Sequence, residues 1–330
     1  MPESSAPPPM PNQPQTPAGS EVSDAATTVP PGEPAETTAQ RQGKPQSDTL
    51  DPRIHAVRSD LAASALRDCC DATNFVDGTP ALINQPRVPI RGEPDARAAF
   101  TSEALFGEEL TVYQRKNGWA WVQLRRDDYV GYVPDSALGN MANAATHHVR
   151  ALATFIYREP NIKTPPLATL SLNTPVSVTS SNAKFSQLAS GGFVFTRHIA
   201  PIGKSARDFV EIAERFIGTP YLWGGCTSSG IDCSGLVQMS LLAAGVTAPR
   251  DSDMQQHALG SEVLIPKDLE GLQRGDLIFW PGHVGVMSDG LMIVHANAHH
   301  MSTTVETLPE VVDRIARHDG PGITAIKRLT

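Results

Sequence analysis

From about Arg87 to Pro201 the chain repeats itself, and a repeat of this length dictates a pair of small, similar units. Glu93-Pro94 returns as Glu159-Pro160, and Phe106…Leu110-Thr111-Val112 as Leu172…Val176-Ser177-Val178, both 66 residues later. Trp121-Val122-Gln123-Leu124 returns as Phe185-Ser186-Gln187-Leu188, and Tyr129-Val130 as Phe193-Val194, now 64 residues later. Runs such as LTVYQ, WAWVQL and YVGYVP alternate in polarity between Gly, Asn, Asp and Pro turns, which makes them strands. The period predicts two tandem β-barrels of roughly 55–65 residues, over 87–142 and 143–202. The alternative is a single sandwich whose strands resemble one another by chance.

The flanks differ. Residues 1–48 are rich in Pro, Ala, Ser, Thr, Gln and Glu and hold no aromatic residue. Such a segment cannot bury enough apolar surface to offset its ordering entropy, so a disordered tail is expected. Residues 49–86 read as a lead-in with one short helix, N-capped near Ser59 or Asp60. Residues 203–330 read as an α+β unit. Its first helix spans Ala206 to Phe216, and its second begins after Asp232 and ends at Gly245, a C′ glycine. Strands follow at Asp276–Trp280, His283–Met287, Leu291–Asn297 and near Ile323–Arg328.

Charge and cysteine usage exclude several classes of function. The net charge is −8, with no basic patch or aromatic-interleaved Lys/Arg run, so nucleic acid is not an expected partner. No stretch approaches the run of roughly 18 apolar residues that a membrane span needs, and the N-terminus lacks a signal-peptide pattern. The four cysteines (Cys69, Cys70, Cys226 and Cys233) show no C-x-x-C or zinc spacing and suit a reducing compartment. The expectation is a cytoplasmic, monomeric protein without cofactor or metal.

Chemistry concentrates in Tyr221–Gln238, YLWGGCTSSGIDCSGLVQ. With Asp232 as N-cap, Cys233 falls in the first turn of an amphipathic helix, where unpaired N–H groups and the helix dipole favour a thiolate and can hold an oxyanion. Cys233 alone is equally compatible with a small buried apolar residue. Two histidines change the balance. If Ser288-Asp289-Gly290 is a three-residue hairpin loop, Met287 pairs with Leu291, and His283 and His295 become direct cross-strand neighbours on one face. An imidazole oriented by a second polar group is what a thiol's general base requires. His299-His300 reads as a solvated loop. A zinc site of Cys233, His283 and His295 lacks the usual ligand spacing.

These residues carry a resemblance. Tyr221-x-Trp223-Gly224-Gly225, Asp232-Cys233-Ser234-Gly235-Leu236, Gly275-Asp276-Leu277, His283-Val284-Gly285 and Val294-His295-Ala296 resemble the NlpC-type, papain-like cysteine peptidases of the bacterial cell wall. The repeats, with Gly-Trp-x-x-Val and Gly-Tyr-Val-Pro in the first copy, resemble bacterial SH3-like domains. The resemblance implies that Cys233 is the nucleophile, His283 the base and His295 the orienting third member, with Tyr221 and Trp223 beside them. The order of domains resembles the dipeptidyl-peptidase VI-like subgroup, which cuts γ-D-glutamyl–diamino-acid bonds in stem peptides bearing a free N-terminal L-Ala. That likeness implies that Asp232 and Ser234 bind the L-Ala amine, that Arg250-Asp251-Ser252 lines the same pocket, and that a Glu and a Tyr of the first SH3-like domain close it. Tyr129 and Glu108 are the candidates, with Glu103 or Glu109 as alternatives for the Glu. The expected partners are peptidoglycan-derived peptides. Three rivals stand beside this reading: a secreted wall hydrolase with wall-binding SH3-like domains, a non-catalytic wall-peptide sensor, and a thiol amidase or acyltransferase.

Overall fold

The computed structural model describes residues 50–141, 143–317 and 320–329. The tail expected over 1–48 lies outside the described residues. The lead-in does not form the expected helix. Ala62–Ala63 pairs in parallel with Phe75–Val76, and only a single 3-10 turn, Ser64–Leu66, follows. Here tertiary contact overrides helical propensity. Ala56, Leu61 and Ala63 are buried against Trp121 of the next unit, so consecutive residues are spent on an extended strand rather than a helix face.

The first β unit is one seven-stranded sheet whose neighbour order is 100–105, 87–91, 130–134, 119–124, 109–116, 79–83, 138–139. It surrounds a core of Ile83, Val88, Ile90, Leu110, Val112, Val122 and Val133. The sheet takes in Thr79–Ile83, so it begins eight residues before the boundary expected at Arg87. The second β unit, His147–Pro201, repeats the same neighbour order. Its counterpart of strand 109–116 is broken into Pro175–Val176 and Val178–Ser181, which divides the sheet into three-stranded and five-stranded parts. The 3-10 turn Asp135–Ala137 of the first unit also returns, as Thr196–His198.

The third unit contains helices α1 (Phe209–Arg215), α2 (Cys233–Ala243), α3 (Ser252–Ala258) and α4 (Leu308–Arg317). Helix α1 starts at Phe209 rather than Ala206 because Asp208 is its N-cap, accepting from Val210 N at 2.8 Å. An antiparallel sheet runs in the order 261–263, 325–328, 277–280, 283–287, 292–297, 302–307. Leu236, Val237 and Leu241 of α2 pack on Val284, Val286, Val294 and Ala296, while Leu308 and Val311 of α4 join Ile278, Met287 and Ile293 in a second cluster.

Helix α2 is not amphipathic in the way its sequence suggested. Every residue from Cys233 to Leu241 is buried. The side turned away from the sheet is covered by the first β unit, through the cluster of Leu105, Cys226 and Met239, and a helix buried all round needs no polar face. Asn173 of the second unit also reaches it, donating to Met239 O at 2.8 Å. Among the described residues, no helix is long and apolar enough to cross a membrane.

Candidate active site

Cys233 is the first residue of α2. Asp232 caps the helix, its Oδ1 accepting from Gly235 N at 2.7 Å. The Cys233 Sγ lies 4.0 Å from the Gly282 carbonyl, so the thiol rests against the turn that begins the His283 strand. Burial and the neighbouring Asp232 carboxylate push this thiol up to about 12. That direction opposes the helix-start thiolate expected from the sequence, because burial and Asp232 outweigh the backbone N–H groups and Arg250 around the sulfur.

The histidine hairpin differs in register from the expectation but not in face. Met287 pairs with Ile293 and Val286 with Val294, enclosing a five-residue loop closed by Ser288 N donating to Met292 O. The ladder is thus shifted by two residues, an even slip that keeps both side chains on one face. Continuing it sets His295 opposite Gly285, and His283 meets His295 diagonally, with His283 Nε2 2.9 Å from His295 Nδ1. Gly285 is required there, because a Cβ would stand 2.5 Å from Ile293 Cδ1 and 3.1 Å from His295 Cβ.

Behind His295 stands a residue absent from the sequence-derived set. Glu306, on strand Ser302–Thr307, accepts from His295 Nε2 at 2.8 Å. Its other partners are Arg314 of α4, at 3.0 Å from Nη2, His300, at 3.3 Å, and the Thr304 hydroxyl, which donates to Oε2 at 3.4 Å. His300 is therefore not a free loop residue. The hydrogen bonds from His295, Arg314 and His300 hold the Glu306 carboxyl well below the usual carboxylate range. A strand over 302–307 was the signal that could have revealed it, since Thr304 pairs with His295 and Glu306 lies two residues on.

Burial pushes His283 down to about 3, with His295 adding to the effect, and burial also lowers His295. Below about pH 6.5 the unfolded chain then binds more protons than the folded one, so both histidines weaken the fold in acid. The stability associated with their neutral forms is complete above that pH and declines as pH falls toward about 3. Each adds a slope of up to about 1.4 kcal/mol per pH unit. Urea unfolding at pH 7.5 and 5.0 is expected to show a lower midpoint in acid, and His283→Gln should remove about one proton of that slope. An unchanged slope in the variant would contradict this assignment.

At the Asp232 end of α2 the third unit and the first β unit meet through Arg250. Arg250, 1 % exposed, pairs with Asp232 through two bonds of 3.0 and 2.6 Å, and donates to Ser234 Oγ at 2.9 Å and to Ser102 Oγ of the first unit at 3.1 Å. Asp232 Oδ2 also accepts from Gly224 N at 2.8 Å. Gly224 in turn packs on Phe100 so closely that a Cβ would sit 2.9 Å from the Phe100 Cβ. Both Asp232 oxygens and the Ser234 hydroxyl are thus engaged within the protein. Asp251 differs: its Oδ2 meets the Tyr129 hydroxyl at 3.4 Å and Arg53 of the lead-in at 2.9 Å, while Oδ1 has no hydrogen-bond partner among the described residues. Burial raises both Asp251 and Tyr129 above their ordinary ranges.

Of the two SH3-region candidates, Tyr129 reaches this end and Glu108 does not. Glu108 is buried against Arg126 and accepts from Leu105 N at 2.8 Å. The acid that crosses to the catalytic unit is Glu103, which accepts from Cys226 N at 2.9 Å. Glu109 pairs outward with Arg125 at 2.8 Å. Tyr221 packs on the core cluster containing Cys233, and its hydroxyl is raised by burial and by that thiol. Trp223 is 62 % exposed, and Ser252 opens α3; no hydrogen bond joins either to the Cys233 cluster among the described residues. Gln255, unforeseen, ties α3 to α2 by donating to Ser234 O at 2.9 Å.

Comparison with known proteins identifies the family and the fold. Residues 218–315 match the NlpC/P60 family, and residues 90–138 match the bacterial dipeptidyl-peptidase SH3 domain. Dipeptidyl-peptidase 6 of Lysinibacillus sphaericus is 30 % identical over 273 residues, covering 76 % of this chain and 99 % of that protein. The γ-D-glutamyl-L-lysine dipeptidyl-peptidase of Bacillus subtilis is 28 % identical over 232 residues, covering 64 % and 77 %. The crystal structure of an NlpC/P60 family protein from Bacillus cereus superposes with a TM-score of 0.63 at 22 % identity, covering 76 % of this chain and 99 % of that one, a likeness of fold. An SH3 domain of the bacterial dipeptidyl-peptidase type, followed by this helix-start cysteine and paired-histidine sheet, makes the chain a member of the NlpC/P60 family.

Proposed function

We propose that the protein is a cysteine peptidase that hydrolyses the γ-D-glutamyl–diamino-acid bond of peptidoglycan stem peptides carrying a free N-terminal L-Ala. The observation that carries this reading is the joint construction of one site. The Cys233 thiol lies against the turn into the His283–His295 hairpin, its neighbour Asp232 is tied through Arg250 to Ser102 of the first β unit, and Asp251, next to Arg250, meets the Tyr129 hydroxyl of that unit. The names of the two relatives reported above support the substrate class.

In this reading His283 takes the Cys233 proton as the sulfur attacks the γ-glutamyl carbonyl. The Cys233 and Ser234 N–H groups, which the Asp232 cap does not engage, steady the oxyanion. The C–N bond then breaks, His283 returns the proton to the departing amine, and water deprotonated by the same imidazole releases the acyl group.

The sequence resemblance gave the L-Ala ammonium to Asp232 and Ser234. Both are engaged with Arg250, so in this account they shape the pocket and the ammonium pairs with Asp251, the carboxylate with an open oxygen. The four unpaired cysteines suit the cytoplasmic setting that belongs to the same reading. The second β unit, with the strand order of the first, is taken as a second SH3-like barrel. Mass spectrometry of the products from L-Ala-γ-D-Glu-diaminopimelate tests the bond. L-Ala-γ-D-Glu and free diaminopimelate are expected, and release of L-Ala alone would move the cut elsewhere.

A further inference from the structure

We propose that Glu306 is a positioning residue that fixes the tautomers of both site histidines and leaves His283 Nδ1 as the unprotonated nitrogen. The inference rests on the reading of His283 as the base for Cys233, and it adds the group that prepares that base. An ionised carboxylate only accepts hydrogen bonds. With Glu306 Oε2 2.8 Å from His295 Nε2, that nitrogen must carry the hydrogen. A neutral imidazole has one N–H, so His295 Nδ1 is then a lone pair. The 2.9 Å contact from His295 Nδ1 to His283 Nε2 therefore obliges His283 Nε2 to donate. The remaining His283 nitrogen, Nδ1, is bare, and a bare nitrogen is what a base offered to a neutral thiol needs.

The rest of the surroundings keeps this order from reversing. Arg314 and His300 both lie on Glu306, which favours the carboxylate over a carboxylic acid able to donate. Arg314 comes from α4, so the helix that closes the back of the sheet also sets the charge at the end of the relay. A third polar residue alone would leave two tautomer pairs open, one with His283 Nδ1 protonated and useless to the thiol. The carboxylate removes that second pair.

Glu306→Gln tests the relay because an amide can donate as well as accept. Its NH₂ can face His295 Nε2, after which His295 Nδ1 donates to His283 Nε2 and the hydrogen of His283 moves to Nδ1. Nitrogen-15 NMR of histidine-labelled wild type is expected to show Nε2-protonated, Nδ1-bare rings at both positions. Glu306→Gln should populate the Nδ1-protonated form of His283 and lower kcat about a hundredfold with KM within about threefold. Glu306→Asp, which keeps the carboxylate, should restore at least about tenfold of that loss. A wild type with hydrogen on His283 Nδ1, or a Glu306→Gln enzyme within about threefold of wild-type kcat, would overturn the proposal. If Glu306→Gln does not fold, the wild-type tautomers and Glu306→Asp decide it. The spectra can also be read in a Cys233→Ala background. If that substitution left turnover intact the nucleophile assignment would fail, while the tautomers would still report on Glu306.

Discussion

Cys233→Ala is expected to lower turnover of L-Ala-γ-D-Glu-diaminopimelate by about 10⁴-fold or more, while Cys226→Ala leaves it within about threefold. The contrast follows from position. Cys233 opens α2 beside Gly282, the residue before His283, with the cap leaving its own N–H and that of Ser234 to the reacting carbonyl. Cys226 is 1 % exposed, packs between Leu105 and Met239, and is pushed up by burial. Removing Sγ from Cys233 deletes the atom that forms the acyl-enzyme, so no binding energy elsewhere can compensate. The substitution trims one atom from the core and should cost about 1 kcal/mol of stability, so the variant can be compared folded. Initial rates with the purified variants, measured beside their unfolding midpoints, separate loss of chemistry from loss of structure. Equal losses for the two cysteines would contradict the assignment.

The sequence disclosed the site in proportion to how local its signals were. The cap at Asp232, the start of α2 and its stop at Gly245 (φ +84°) depend on a few adjacent residues, and the structure keeps them. The histidine pair was legible as a pair because parity decides the face of a strand; the loop length was misjudged by two residues, which parity forgives. Glu306 was not found because its strand, STTVET, has few apolar residues and draws its pairing from the 292–297 strand rather than from its own pattern. The lead-in misled for a related reason. The cap signal near Ser59 or Asp60 points to a helix, but Trp121, far along the chain, offers Leu61 and Ala63 a surface that an extended segment covers.

Long-range polar contacts were the least visible. Nothing near Arg53 announces that it will hold Asp251 and Asp253, or that Asp127 will accept from Gln238 of α2 at 2.8 Å. The same holds for the exchange of Glu108 for Glu103 at the unit boundary. Glu103 lies on strand 100–105 and Glu108 in the turn that follows it, and the approach of Cys226 N picks out Glu103. The repeat helped more, since it identified Tyr129 as the polar member of a pair whose second copy is Phe193. Tyr129 is the residue that touches Asp251.

The second large effect concerns the amine. Asp251 is partly buried, is raised by that burial, and is paired through Oδ2 with Arg53, while its Oδ1 has no hydrogen-bond partner among the described residues. In the proposed function a substrate ammonium takes that open oxygen. Acetylation of L-Ala removes that charge and adds bulk at the end of the site walled by Tyr129. Losing one charge-assisted hydrogen bond to that oxygen costs about 1.5–3 kcal/mol, which corresponds to about 10–10² in kcat/KM. The rivals part here. A wall hydrolase acts on stems whose L-Ala amine is already in an amide bond, and a sensor turns over neither form. The direct measurement is kcat/KM for L-Ala-γ-D-Glu-diaminopimelate beside its N-acetyl derivative. The expected ratio is about ten or more in favour of the free amine, and equal values for the two peptides would contradict it.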